Sequence, residues 1–468
     1  MIKNLFAFFI FCCFSIIVYS QEKIEITNII ITGNKITKDD VLLRELTFKK
    51  GDVLSQASLE GKIKESKENL TNLMLFNFNH ITFENNTEKT DVYIEVVERW
   101  YIWPYPILEI SERNFNVWWD EFKESSYSDF SRMNYGIFLV WENFRGKNEV
   151  LKIKYRKGFK EHYLFTYDIP YFNKEKTIGA TLFAQQFRRK KSFYNTLNNQ
   201  LLYYENANQY TTKDYELELD ILYRKGTRQK HKLKLHYLLS NIVDSIGLLN
   251  PYYFNNGKNK GSYYKATYQY INEQRDYITY PLKGNYLELK FTKNFSGSSP
   301  VNHFEFVAKA EKHIEIQNRL FIGSSFLTKV SSDNHQPYFS QKGLGFEDYA
   351  RTYEYYVIDG QSFWLSKTAV KYELIGKRNF NLPYIRMPQF KKSHYSLYLS
   401  VFTDLAYVID NQNSQNNDLS NSLLFGRGCS LDYVTYYDKL LRIEFGINRL
   451  GEKGIFLHFS SPFGDNKK

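Results

Sequence analysis

From Pro104 onward the chain consists of short segments in which apolar and polar residues alternate, each broken by a polar turn. A period of two puts successive side chains on opposite faces, so these segments read as strands. In residues 284–295, Leu287, Leu289 and Phe291 alternate with Glu288, Lys290 and Thr292. In residues 441–449, Ile443, Phe445 and Ile447 alternate with Arg442, Glu444 and Gly446. In a soluble sandwich the apolar face points inward, whereas in a membrane barrel it meets lipid and the polar face lines the lumen. The 39 Tyr and 38 Phe, with an aromatic share of 18%, favour the barrel, because aromatic rings collect at both membrane interfaces.

Strand starts fall near residues 105, 134, 148, 161, 176, 197, 214, 230, 262, 284, 301, 319, 362, 395, 422, 441 and 454. The run at 197–205 is the weakest and reads as a loop excursion, leaving sixteen, an even number as bacterial barrels require. Tight turns at 143–146, 171–174, 225–227, 281–284 and 437–439 alternate with longer loops, which assigns the short turns to the periplasmic side. Alternating Ile455, Leu457 and Phe459, followed by Phe463, suit a terminal strand and sorting signal.

The N-terminus carries Lys3, an apolar run from Leu5 to Val18 interrupted at Ser15, and Ser20-Gln21. This is the pattern of a secretory signal peptide, residues 1–20, and it falls short of the roughly 20 apolar residues of a spanning helix. Cleavage removes Cys12 and Cys13 and leaves Cys429, so no intramolecular disulfide is expected. Gly428 and Ser430 flank that cysteine without an acid–base pair to activate it. The formal charge of +11 is spread among acids, and basic runs such as Arg188 to Lys191 read as solvated loop charge. With export, this argues against nucleic acid as a partner.

Residues 24–98 have a different texture. Ile24, Ile26 and Ile29 to Ile31 form a strand ending at the turn pair Gly33-Asn34. Thr37 is expected to cap a helix with Asp39 and Asp40 in its first turn. A second helix runs from about Ser58 to Leu73, and strands follow at Phe78 to Phe83 and Val92 to Val97. This order, with ITGNKIT at its head and DVYIEVVER at its tail, resembles a POTRA domain, a periplasmic module that precedes outer-membrane barrels.

A POTRA-like module (21–99) followed by a sixteen-stranded barrel (100–468) resembles the BamA/TamA family of outer-membrane assembly and translocation proteins. The phrases NFRGKNE at 143–149, Pro170-Tyr171-Phe172 and RDYITYPLKGNYLEL at 275–289 carry the resemblance in order along the chain. In that family the loop between the eleventh and twelfth strands folds into the lumen with a Val-Arg-Gly-aromatic tip. Residues 331–361 correspond to it, with Ala350-Arg351-Thr352-Tyr353 at the tip and threonine in place of glycine. Threonine resists the backbone angles glycine permits, so a differently shaped or less tightly docked tip is expected. The partner motif Phe-x-Asp-x-Gly is matched by Phe402-Thr403-Asp404-Leu405-Ala406, and Glu373 stands where the twelfth strand carries an acid. The resemblance implies a latch of Arg351 and Tyr353 against Glu373, Phe402 and Asp404, since a guanidinium pairs bidentately with a carboxylate.

No HExxH, Cys/His cluster, GxSxG or glycine-rich phosphate loop occurs. Neither an enzyme nor a metal or other cofactor is expected. The resemblance implies residence in the outer membrane of a diderm bacterium, with the POTRA module in the periplasm. It implies unfolded outer-membrane or secreted polypeptides as partners, with outer-membrane lipid around the barrel and periplasmic chaperones or lipoproteins as accessory partners. Clients would add as a strand along an exposed POTRA edge, expected at Val92, Ile94 and Val96, and pass to a barrel whose first and last strands pair weakly. The alternatives are a secretion pore dedicated to one exported partner and a passive channel or surface receptor.

Overall fold

The computed structural model describes residues 23–86, 89–110, 123–127, 130, 132–333, 335–412 and 417–460. The expected signal peptide and Phe463 lie outside the described residues. The N-terminal unit runs β1 (Lys23–Thr32), α1 (Asp39–Glu45), β2 (Val53–Ser55), α2 (Gln56–Asn72), β3 (Phe76–Asn86) and β4 (Lys89–Glu98). Ser55 starts α2 by accepting a hydrogen bond from the Ser58 amide at 3.3 Å, the usual service of an N-cap hydroxyl. The helix buries Leu59 and Leu70 against Ile26, Val92 and Ile94, each side chain contributing about 1.5–3 kcal/mol.

Two expectations for this unit are corrected. Lys38, not Thr37, occupies the N-cap of α1; Thr37 turns inward and donates to Glu98 Oε1 at 2.7 Å. The sheet order is β2-β1-β4-β3, so β4 is flanked on both sides, parallel to β1 and antiparallel to β3. Val92, Ile94 and Val96 therefore face the core, at most 2% exposed, and offer no edge. The edge strands are β2 and β3, and on β3 exposed His80, Thr82 and Glu84 alternate with Ile81 and Phe83.

The second sheet has sixteen antiparallel strands. They are β5 (Ile102–Ile110), β6 (Met133–Phe144), β7 (Glu149–Gly158), β8 (Lys160–Ile169), β9 (Ile178–Arg189), β12 (Thr212–Tyr223), β13 (Gln229–Ile242), β14 (Lys260–Glu273), β15 (Gly284–Ser296), β16 (Phe304–Gln317), β17 (Leu320–Ser331), β18 (Ser362–Asn381), β19 (Lys392–Ile409), β20 (Leu423–Thr435), β21 (Lys439–Asn448) and β22 (Lys453–Ser460). The excursion is a separate hairpin of β10 (Lys191–Leu197) and β11 (Gln200–Glu205), and β9 pairs directly with β12. Among the described residues no pairing joins β5 to β22, so the seam carries two open strand edges.

The faces sort as the alternation requires. Tyr135, Leu217, Leu219, Leu399, Val401, Phe445 and Leu457 point outward and are exposed, while Lys154, Gln269, Lys371, Asp404, Asp432 and Glu444 are buried. Among the described residues no helix is long and apolar enough to cross a membrane; the strands do the crossing.

The N-terminal unit sits against the short turns at one end of the sheet. Arg224 donates two hydrogen bonds to Glu45, at 2.7 and 2.6 Å, and Arg228 meets Glu65 and Glu68, both at 3.1 Å. Arg99 pairs with Asp438 at 2.5 Å, both nearly solvent-free. Loop 332–361, between β17 and β18, opens at the opposite end.

Candidate functional site

Loop 332–361 folds into the lumen because it brings its own apolar core. Leu344, Ala350, Tyr353 and Ile358 pack on Phe363, Leu365, Ala406, Val408 and Leu424 of the wall. That burial holds the tip where its polar groups find partners. The Arg351 amide donates to Asp404 Oδ2 at 2.8 Å, its Nε donates to both carboxylate oxygens at 3.0 Å, and Nη2 donates to Oδ1. Nη2 also donates to the Thr368 carbonyl of β18 at 3.3 Å. The guanidinium lies 4.0 Å from the centre of the Phe402 ring. Asp404 is wholly buried and Arg351 is 8% exposed. Charge-assisted, multiply bonded pairing of this kind is what allows both charges to be kept from water.

Tyr353 carries the tip to the next strands. Its hydroxyl donates to the Phe425 carbonyl at 3.2 Å and accepts from the Arg449 amide at 3.1 Å. Thr352 between them has φ of 76°, a strained value for a β-branched residue. The tip is thus docked tightly with threonine in a glycine-like conformation, contrary to the looser tip expected. The wall makes room: a Cβ at Gly426 would stand 2.5 Å from the Arg351 carbonyl oxygen and Thr352 Oγ1, and one at Gly446 2.3 Å from Thr352 Cγ2.

Arg351, Tyr353, Phe402 and Asp404 thus come together, and Glu373 does not join them. Asp404 pairs across the sheet with Lys367, whereas Glu373 lies opposite Tyr398. Six residues of strand separate Lys367 from Glu373, roughly 20 Å. The only hydrogen bond the Glu373 carboxylate receives among the described residues is from the Tyr398 hydroxyl, at 3.5 Å.

A second segment, absent from the expectations, enters the lumen from the N-terminal-unit side. In turn 274–283, Tyr280 is 3% exposed, its hydroxyl donates to Asp432 Oδ2 at 2.7 Å, and its ring packs on Tyr398. Asp432 is held by Arg442 Nε at 2.7 Å and Nη2 at 3.1 Å, and by the Ser430 hydroxyl at 2.9 Å. Lys371 donates to the Pro281 carbonyl at 3.0 Å. At the base of the turn, Asn72 of α2 accepts from the Ile278 amide at 3.1 Å and donates to the Arg275 carbonyl at 3.2 Å. The signal for it was two tyrosines and a proline, Tyr277, Tyr280 and Pro281, in a turn too apolar to be merely solvated.

The surface antigen variable number repeat (POTRA) model matches residues 24–99, and the Omp85 superfamily domain model matches residues 143–464, most of the sheet just described. This chain belongs to the Omp85 superfamily. Over 63 residues it is 44% identical to a protein of Treponema pallidum (strain Nichols) provisionally named an outer membrane protein assembly factor, a match spanning 14% of this chain and 7% of that protein. CdiB from Escherichia coli has a similar structure, with a TM-score of 0.52 and 11% identity over 94% of this chain and 76% of that one. BamA from Haemophilus ducreyi lacking POTRA domains 1–3 gives 0.48 and 14%, over 93% and 84%. At such identities the likeness concerns the fold. As an Omp85 protein the chain is an outer-membrane barrel with a periplasmic POTRA module, in a superfamily of assembly and translocation barrels rather than enzymes.

Proposed function

We propose that this protein assists the insertion of other polypeptides into the outer membrane. Unfolded clients are received on β3 of the POTRA module and passed to the seam between β5 and β22. The observation that carries the reading is that seam: two strand edges that no ladder joins among the described residues, next to lipid and above a docked POTRA module. Open edges recruit a client strand through backbone hydrogen bonds, with little demand on its sequence. No nucleotide is needed, because burying apolar strands in the bilayer is itself downhill. The Arg351–Asp404 contact braces the inward loop against the wall while the seam opens.

Passage through the lumen is disfavoured in this conformation, since loop 332–361 and turn 274–283 occupy it from both ends. Depletion followed by quantitative outer-membrane and secretome proteomics tests the reading. Loss of many barrel proteins supports insertion, loss of one exported protein replaces it with dedicated secretion, and unchanged proteomes overturn both. A photo-crosslinker at Thr82 is expected to capture nascent clients; capture only from Ile94 would return the docking strand to β4.

A further inference from the structure

Three residues beyond Arg351 the loop tip places Glu354 against the last two strands of the barrel. Its Oε1 lies 3.0 Å from Nε2 of His458 on β22, and that nitrogen lies 3.2 Å from Oε2 of Glu444 on β21. The ligand-type atoms of the three residues all fall within 4.8 Å of one another. None of Glu354 Oε1, Glu444 Oε2 and His458 Nε2 is reached by solvent or makes a hydrogen bond, and Glu444 is only 1% exposed. Two carboxylate oxygens brought to one buried point repel unless a cation lies between them, either a proton on His458 Nε2 or a metal ion in its place.

The surroundings say which cation fits. Arg442 is committed to Asp432 through Nε and Nη2 and approaches Glu444 only at Oε1, at 3.7 Å, so it does not fill the space. The opposite ring nitrogen of His458, Nδ1, faces the Tyr349 hydroxyl at 3.5 Å, and the two rings stack. An Nδ1 proton directed at that hydroxyl leaves Nε2 as a lone pair, the arrangement by which an outer partner orients a metal-binding histidine. Bonds of about 2.0–2.1 Å in a tetrahedron set ligand atoms roughly 3.3 Å apart, close to the two separations observed. One imidazole and two carboxylates suit zinc.

We infer that Glu354, Glu444 and His458 form a binding site for a zinc-class divalent cation that ties the tip of the inward loop to β21 and β22. Arg351 and Tyr353 fasten the tip to β19 and β20; the metal extends the fastening to the strand at the seam. The consequence for client insertion, a seam restrained while metal is bound, rests on the function proposed above, but the binding does not. The two fail separately.

The folded full-length protein, purified in detergent and stripped with a chelator, is titrated with Zn²⁺ against a chromophoric competitor. One equivalent is expected to bind. Glu354→Gln and His458→Gln are each expected to weaken it at least tenfold, while both variants keep the heat-modifiable mobility of a folded barrel. Co²⁺ loaded in place of zinc is expected to give the intense visible absorption of a tetrahedral site. No saturable binding by the wild-type protein overturns the site and leaves a protonated His458 between two carboxylates; full-strength binding by both variants overturns it too. If a variant does not fold, the wild-type Co²⁺ spectrum decides: a tetrahedral band supports the site and its absence overturns it.

Discussion

Loop 332–361 and turn 274–283 enter one lumen from opposite mouths, and each ends on a fully buried aspartate of the C-terminal half, Asp404 for the loop and Asp432 for the turn. They satisfy it differently. The loop carries the counter-charge in itself, so Arg351 neutralises Asp404 only when the tip is seated. The turn contributes a phenol, and the charge opposite Asp432 comes from Arg442, already in the wall. Withdrawing the loop takes Arg351 from a buried carboxylate, whereas withdrawing the turn removes the Tyr280 phenol from Asp432 and the Pro281 carbonyl from Lys371 and leaves Arg442 on Asp432. The outer plug is therefore the costlier to release, and the inner one, tied to the POTRA module through Asn72, is the easier to move.

The largest test of that contrast is Arg351→Ala, which leaves Asp404 buried and unpaired at a cost of roughly 3–5 kcal/mol. The barrel is expected to insert and remain heat-modifiable, with reduced activity and a loop newly open to added protease; Asp404→Ala should resemble it. Full activity with a protected loop in both variants would remove the brace.

Acidity probes the loop from its other end. Burial first, and the charge of Asp410 after it, push Asp359 up to about 7. An unfolded aspartate titrates near 3.9, so the folded state holds this proton more tightly and pays a penalty for ionisation that is absent below about pH 4 and complete above about pH 7. Acidification across that window should tighten the docked loop by up to roughly 4 kcal/mol, read as protease protection, and Asp359→Asn should abolish the dependence. An equal pH response in the variant would assign it to other groups.

Tyr280→Phe is the corresponding test of the turn. It should cost about 1.5–3 kcal/mol, the range for a hydrogen bond to a charged group, seen as a drop in the temperature of heat modification; a loss as large as that of Arg351→Ala would erase the contrast. The smallest effect, of opposite sign, belongs to Thr352→Gly. Relief of a left-handed threonine should stabilise the docked tip by about 1 kcal/mol, and a destabilised loop would mean that packing of Cγ2 against Gly446 outweighs the strain.

The sixteen strands were legible because the period of two is a property of the backbone, and the β10–β11 excursion was legible because Leu201-Leu202-Tyr203-Tyr204 does not keep it. Arg351 and Asp404 were legible through the family resemblance of their surrounding phrases. Glu373 was misassigned because its residue type says nothing of how deep the tip reaches; depth is set by the packing of Leu344 and Ile358. The edge was misplaced on β4 because a strand last in sequence is inserted second in space, beside β1. The Tyr280–Asp432 contact joins residues 152 positions apart, and the phrase at 275–289 that contains Tyr280 says nothing of the partner it reaches.

The two gaps in the wall at Gly426 and Gly446 also fix an order of assembly. The tip belongs between the eleventh and twelfth strands, yet the surfaces that receive it run on to the thirteenth, which holds Asp404, and to the fourteenth and fifteenth, which hold the two gaps and which the chain supplies later. A barrel growing strand by strand from β5 offers Arg351 its carboxylate once β19 is laid down, but leaves Thr352 and Tyr353 without their receiving surfaces until β20 and β21 follow. Seating the plug thus marks a nearly complete wall, and a protein halted earlier presents an open lumen and a protease-sensitive loop, a signature that separates stalled assembly from the finished barrel.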